Sequence, residues 1–152
     1  ALAKAEQTGA PAAGMVLPDG RIVTGKTSST LGCASAMLLN ALKVLGDIDD
    51  DYDLISSHVL EPICSLKTEY LLHKNPRLHT DEVLVALSVL SSQDQNCQKA
   101  LEQLPKLQGC QVHSTVMLSE VDRKIFKKLG VGLTCDPTRK KAAVSNNPNS
   151  GL

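Results

Sequence analysis

The stretch CQVHSTVMLSEVDRKIFKKLGVGLTC, residues 110–135, carries the strongest fold signal in the chain. Cys110 to Leu118 alternates like a β-strand. Ser119 is suited to cap a helix over Glu120 to Leu129, and Gly130 is suited to end that helix. Val131 to Cys135 then forms a second strand. This order predicts a βαβ unit with two parallel strands and a right-handed crossover.

A second signal lies near the N-terminus. Two short β-prone runs, Met15 to Leu17 and Arg21 to Thr24, flank the turn Pro18-Asp19-Gly20, which predicts a β-hairpin. Thr27 to Thr30 then offers four hydroxyl groups that are suited to cap a helix. We expect that helix to cover Leu31 to Leu45.

The segment between these two units is predicted to be mainly helical. Tyr52 to Ile55 is either a short strand or the lead-in to a helix over Val59 to Leu72. Thr80 is suited to cap a third helix that runs to about Ser91. A fourth helix is expected from Gln95 to Leu104, because Pro105 cannot continue it.

These elements predict an α/β fold, a three-layer α/β/α sandwich with a mixed sheet. The hairpin contributes the antiparallel strands and the βαβ unit the parallel ones. We expect residues 1–14 to be the end of a preceding helix and a linker, 15–137 the domain, and 138–152 a disordered tail. A chain of 152 residues is long enough for one such domain.

Composition narrows the function classes. Sixteen Lys and Arg residues balance sixteen Asp and Glu residues, so neither nucleic acid nor an anionic membrane is an expected partner. One Phe, two Tyr and no Trp leave almost no aromatic surface for stacking bases. The five cysteines form no C-x-x-C pair, which is typical of reduced thiols in a cytoplasmic protein rather than of a disulfide or zinc framework. No apolar run is long enough for a membrane span.

The letters GRIVTGKT, residues 20–27, match the phosphate-binding pattern G-x-x-x-x-G-K-[ST]. That pattern needs an open loop between its glycines, whereas here a P-D-G turn and β-prone residues occupy the place. The hairpin interpretation is therefore favoured over a nucleotide-binding loop. A weaker anion site remains at Gly25, Lys26, Thr27 and Ser28, just before a helix start. The alternative is that these hydroxyls only cap the helix.

A second group of polar residues lies at the predicted start of the third helix. His79 and Asp81 are candidates for general acid–base catalysis, and Lys74 and Arg77 are candidates for binding an anion. Helix capping uses the same residue types, so it is the alternative. His113 lies on a predicted central strand and could converge with His79, or simply be a core residue. No motif indicates a metal ligand set, and none identifies a cofactor.

Four blocks carry a resemblance to a known family: PDGRIVTGKTSS, KNPRLHTDEVLVALS, ALEQLPKLQGCQVHSTVMLS and FKKLGVGLTCDP. They resemble the C-terminal region of long, mainly bacterial cytoplasmic proteins of unknown function, some of which are named as ATP-dependent peptidases. The resemblance covers residues 14–137. It implies an α/β/α subdomain, with a topology similar to that of cytidine deaminases, beside an N-terminal region.

Zinc-dependent deamination is not expected from that scaffold. Such enzymes need a catalytic Glu after a His or Cys ligand, and a later P-C-x-x-C. Cys33 falls near the expected place, but Ser35 stands where the Glu is needed.

Two function classes remain open. The first is a C-terminal subdomain of a longer cytoplasmic enzyme that binds a phosphorylated or nucleotide-like small molecule. Because the chain opens on what reads as half a helix, we expect its preceding region, or a second copy, to complete the site. The alternative is a structural or oligomerisation domain.

Overall fold

The computed structural model describes residues 12–135, which form one mixed sheet with helices packed against it. The strands are Ala12–Val16 (β1), Ile22–Lys26 (β2), Gln111–Ser114 (β3) and Gly132–Cys135 (β4). The helices are Cys33–Leu45 (α1), Ser57–Ser65 (α2), Thr80–Leu90 (α3), Gln95–Glu102 (α4) and Glu120–Leu129 (α5). A π-helical turn, Leu66–Tyr70, extends α2, and a 3-10 turn, Leu104–Leu107, follows α4.

The strand order is β2-β1-β3-β4. β1 is antiparallel to both β2 and β3, while β3 and β4 are parallel and joined through α5. The turn between β1 and β2 closes with a 2.8 Å bond from the Leu17 amide to the Arg21 carbonyl, and Gly20 adopts a φ of 90° there. The predicted hairpin, the βαβ unit and the mixed sheet are therefore confirmed.

Helices α1 and α5 pack against the sheet, and α3 and α4 pack against these two helices. Residues that alternate to the helix side of the sheet, such as Met15, Val23 and Val112, are buried. α1 runs back along β2, since the Asn40 side chain donates a 2.8 Å hydrogen bond to the Thr24 carbonyl. Residues of the opposite face remain accessible, and Ile22 is 68% exposed. The described part of the chain thus has an α/β fold with a mixed sheet, and it does not include a third layer over this accessible face.

The ends of two strands differ from expectation. β1 begins at Ala12 rather than Met15, so the strand takes up part of the predicted linker. β3 ends at Ser114 rather than Leu118. The Ser114 hydroxyl accepts a bond from the Val116 amide, which turns the chain out of the sheet, and the Thr115 amide bonds to Ala12, the first described residue of β1.

Two predicted helix caps are wrong. α1 begins at Cys33 with Gly32 as its N-cap, and the Ser28 hydroxyl instead accepts bonds from the amides of Thr30 and Leu31. The N-cap of α3 is His79 rather than Thr80. In the sequence each hydroxyl was the nearest suitable acceptor, but α1 has no side-chain cap and the Thr80 amide bonds to Asp122 of α5.

The middle of the chain keeps its predicted helices with shifted ends. Residues 52–55 form no strand, so they are the lead-in to α2. α4 ends at Glu102, and Pro105 lies in the 3-10 turn that follows it. None of the helices within residues 12–135 has the length and apolar character that a bilayer span requires. The helix end and linker predicted for residues 1–11, and the disordered tail predicted for 138–152, lie outside the described residues.

Candidate functional site

The strands β2, β3 and β4 all run in one direction and end at Lys26, Ser114 and Cys135. We call this side of the sheet the carboxyl edge. The first turn of α3 bonds to that of α5, because the Asp122 carboxylate accepts hydrogen bonds from Thr80. α5 begins shortly after β3, so both helices start at the carboxyl edge. In open α/β sheets, ligands commonly bind outside this edge.

Two polar segments that are distant in sequence meet here. The Arg77 guanidinium donates from Nε to the carbonyl of Ser28, 49 residues away in the chain. The Leu78 amide donates to the Thr30 carbonyl at 2.9 Å, and the Gly32 amide donates to the Leu78 carbonyl at 3.3 Å. The segments GKTSS and NPRLHT therefore form one continuous surface.

The adjacent residues His113 and Ser114 of β3 lie on opposite faces of the sheet. Ser114 is buried on the helix side, where its hydroxyl and that of Thr27 lie beside the Cys33 thiol. Burial raises the pKa of Cys33, and the two hydroxyl groups only partly offset this. Cys33 is therefore a neutral, buried thiol, which is a poor nucleophile and a poor metal ligand.

His113 alternates to the accessible face of the sheet. Its Nδ1 lies 2.8 Å from the Thr134 hydroxyl, and it lines a shallow groove with Gly14, Val16 and Ile22. His79 is instead the N-cap of α3, on the helix side. The two histidines therefore do not converge on one site.

The starts of α3 and α5 at the carboxyl edge are already bonded to protein groups. The Asp122 carboxylate accepts from the Thr80 amide at 2.8 Å and from the Thr80 hydroxyl at 2.7 Å. The Ser119 hydroxyl accepts from the Asp122 amide at 3.2 Å. The first turn of α1, from Cys33 to Ser35, is buried. An anion at this edge would consequently be held by side chains of the loops rather than by helix amides.

An ion pair between buried Lys67 and half-buried Glu82 fixes the loop that carries Arg77 and His79. Lys67, only 2% exposed, donates to the Glu82 carboxylate at 2.8 Å and also to the carbonyl of Arg77. The same Glu82 oxygen accepts from the His79 amide at 2.8 Å. Burial opposes ionisation of Glu82, but these donors outweigh it, so the pKa of Glu82 lies below its ordinary value.

The sequence placed Glu82 at the start of the third helix but did not predict its bonds to Lys67 and to the His79 amide. The signal for the bond to the His79 amide is the position of Glu82 three residues after the helix N-cap, where a carboxylate reaches back to the N-cap amide. No comparable signal marks Lys67, because its partners come from a separate loop and a separate helix.

Three cations remain available near this surface. Lys26, the last residue of β2, and Lys74 are exposed, and Arg77 is half-buried. Of the three guanidinium nitrogens of Arg77, only Nε is bonded within the described residues, so both terminal nitrogens can still donate. The Ser28 hydroxyl is exposed as well. Such donors suit a phosphate or carboxylate group.

Asp81 does not join this group. Its carboxylate accepts from the Glu82 amide at 2.8 Å and lines an apolar cleft between α2 and α3. His79 and Asp81 therefore lie at the start of α3, on the side of the sheet opposite to His113. Within residues 12–135 no three His, Cys, Asp or Glu side chains are grouped as metal ligands would be.

Comparison with known families assigns the chain. The domain described as "Domain of unknown function DUF1846, C-terminal" matches residues 1–144. The chain belongs to this family. A UPF0371 protein of Corynebacterium efficiens is 55% identical over 144 residues, which are 95% of this chain and 29% of the relative. UPF0371 proteins of Corynebacterium aurimucosum and Streptococcus thermophilus are 55% and 43% identical, over 91% and 90% of the chain and 28% of each relative.

The chain thus spans less than a third of the curated relatives that it matches. The expected resemblance to the C-terminal domain of a longer, uncharacterised family is confirmed. The DUF1846 C-terminal domain is therefore one part of a larger polypeptide in these relatives.

Proposed function

We propose that this DUF1846 C-terminal domain forms one wall of a binding site for a phosphorylated or nucleotide-like small molecule in a longer cytoplasmic enzyme. The observation that carries the proposal is the junction of Arg77 with Ser28 at the carboxyl edge. It joins the two segments that the sequence singled out for anion binding, at the edge where α/β sheets commonly bind ligands.

Each residue has a role that follows from its chemistry. The terminal nitrogens of Arg77 donate paired hydrogen bonds to a phosphate, and Lys26 and Lys74 supply further positive charge. The Ser28 hydroxyl adds a neutral donor. His79, which is half-buried at the start of α3, is the remaining candidate for proton transfer.

The proposed site is incomplete within the described residues. Gly25 and the Thr27 hydroxyl, which the sequence assigned to the same site, are turned towards α1 and Cys33. Lys74 and Arg77 stand on a loop and Lys26 at a strand end, and within residues 12–135 no carboxylate pairs with any of the three. Because more than two thirds of each relative lies outside the match, we propose that the preceding polypeptide supplies the opposite wall.

Thermal shift measurements on the full-length protein test this proposal. A panel of phosphorylated metabolites is screened against wild type, Arg77→Ala and Lys26→Ala, with Lys124→Ala on α5 as a matched surface control. Stabilisation of wild type and Lys124→Ala that is lost in the other two variants supports the site. Equal stabilisation of all four proteins would place ligand binding elsewhere.

A second candidate function is a structural or oligomerisation domain. The apolar cleft between α2 and α3 favours it, because exposed apolar surface of this kind commonly marks a protein interface. On this alternative no phosphorylated ligand stabilises the full-length protein in a manner that depends on Arg77.

The finer fold assignment is also a proposal. The order β2-β1-β3-β4, with β1 antiparallel to its neighbours, is compatible with the scaffold of cytidine deaminases. A third layer would then cover the accessible face around Ile22 and His113. A crystal structure of the full-length protein that leaves this face bare would contradict the three-layer assignment.

A further inference from the structure

An apolar cleft lies between α2, its π-helical extension and α3. It has a volume of about 500 Å³. Aliphatic side chains form most of its walls: Val59, Ile63, Leu66, Leu71, Val85, Ala86, Val89 and Leu90. Its charged lining residues are Lys67, Asp81 and Glu82.

α3 is apolar on both of its faces. Val83 and Leu87 are fully buried against the core, whereas Val85 and Val89 are 64% and 68% exposed beside the cleft. A helix that is apolar on all sides is normally enclosed by protein. The exposed pair is spaced by four residues, so it forms one ridge along the cleft.

The charges of the cleft also have a pattern. Lys67 and Glu82 neutralise each other at 2.8 Å. The Asp81 carboxylate accepts only from the Glu82 amide among the described residues, and it lies at the end of the cleft nearest the carboxyl edge. A matching occupant therefore has an apolar surface with a cation at one end.

We propose that this cleft is the docking site for an amphipathic helix from the part of the full-length polypeptide that precedes this domain. The domain matches less than a third of its relatives, and its family description places it at their C-terminus, so most of each relative precedes it. Apolar residues of that helix, at positions i, i+3, i+4 and i+7, contact Val85, Val89 and Leu66. A Lys or Arg at its end pairs with Asp81.

This inference does not depend on the proposed ligand site. The cleft is lined by other residues than Lys26, Ser28 and Arg77, and its occupant is a protein segment rather than an anion. Its test therefore measures coverage of the cleft and uses no ligand.

Cysteine labelling provides the test. Val89→Cys is introduced into this chain alone and into the full-length protein, and maleimide labelling at position 89 is followed by peptide mass spectrometry. Val121→Cys on α5, where Val121 is 40% exposed, is the matched control. Thermal unfolding of each variant verifies that it is folded.

We expect position 89 to label at least tenfold more slowly in the full-length protein than in this chain alone, with far less change at position 121. Asp81→Asn should raise the rate at position 89 in the full-length protein only. An equal rate at position 89 in both proteins would overturn the proposal. Protection that disappears on dilution would also overturn it, because the occupant would then be a second copy. If Asp81→Asn leaves the labelling rate at position 89 unchanged in the full-length protein, the proposed pairing of a Lys or Arg with Asp81 is wrong.

Discussion

At the scale of single residues, Gly25 explains why the chain carries letters that imitate a nucleotide-binding loop. Gly25 lies in β2 opposite Ala13, and a Cβ built on it would be 2.2 Å from the Met37 amide nitrogen and 2.7 Å from the Met37 Cα. Glycine is required here because the backbone of α1 crosses β2 at contact distance. The packing of a helix on a strand accounts for the glycine without a phosphate.

Gly25→Ala is therefore expected to destabilise the domain by about 3 kcal/mol or more, since neither backbone can move without disturbing the core. Gly32→Ala is the matched control. The nearest contact of its added Cβ is 3.8 Å, so we expect a loss of about 1 kcal/mol or less. Urea unfolding of both variants measures the difference. Equal stabilities would show that β2 and α1 are not packed as described.

Glu82 gives the domain a specific dependence on pH. Its folded-state pKa lies below the ordinary value of 4.5, because Lys67 and the His79 amide donate to its carboxylate. The stability that it contributes is thus fully present above about pH 4.5 and is lost as the pH falls through the folded-state pKa.

Glu82→Gln should reduce the free energy of unfolding by about 2 kcal/mol at pH 7, because buried Lys67 loses a charged partner. The difference from wild type should shrink progressively below about pH 4.5. Urea unfolding between pH 7 and pH 3 measures it. A difference that grows on acidification would contradict the ionised pair.

At the scale of elements, the start of α3 depends on a carboxylate from another helix. Asp122 of α5 accepts from both the amide and the hydroxyl of Thr80, and Thr80 is fully buried. Asp122 therefore holds the first turns of two helices together at the carboxyl edge.

Asp122→Ala should cost about 2 to 3 kcal/mol of stability, because it leaves two buried donors of Thr80 unpaired. Asp122→Asn retains an acceptor oxygen and should cost about 1 kcal/mol. Thermal unfolding separates the two variants. Similar losses in both would mean that charge, rather than the hydrogen bonds to Thr80, determines the effect.

Some elements could be predicted from the local sequence, and others could not. The hairpin, the βαβ unit, the Ser119 cap and the Gly130 end follow from adjacent letters, and all are confirmed. The start of α3 was misplaced because its acceptor lies 42 residues further along the chain. The end of β3 was misplaced because the alternating letters after Ser114 do not show where a strand loses its partner.

At the scale of the whole molecule, the sequence predicted which segments are polar but not which of them meet. Ser28 and Arg77 were assigned to one kind of site, and the fold brings them into contact. His79 begins α3 on the helix side of the sheet, whereas the side chain of His113 lies on the accessible face. Neighbouring residues of a strand point to opposite faces, and the letters alone did not show which face His113 takes. The apolar cleft was not predicted, because the letters of α3 do not distinguish a core residue from one that faces a second partner.

The surroundings of Lys26 predict that this chain alone does not bind Mg-ATP tightly. Lys26 lies within a paired strand, and the glycine before it is packed against α1. We therefore expect the dissociation constant of this chain alone for Mg-ATP to be larger than about 1 mM, which corresponds to very weak binding. If calorimetry detects binding of Mg-ATP that Lys26→Ala abolishes, residues 20–27 act as a nucleotide-binding loop after all.

The most direct test of a site shared with the preceding polypeptide is a calorimetric titration of one phosphorylated ligand, chosen from the thermal shift panel, into four proteins. These are the full-length protein, its Arg77→Ala and Lys124→Ala variants, and this chain alone. The shared site predicts heat of binding for the full-length protein and for Lys124→Ala, and none for Arg77→Ala or for the isolated chain. Equal affinity of the isolated chain and the full-length protein would contradict it, as would full-length binding that Arg77→Ala leaves unchanged.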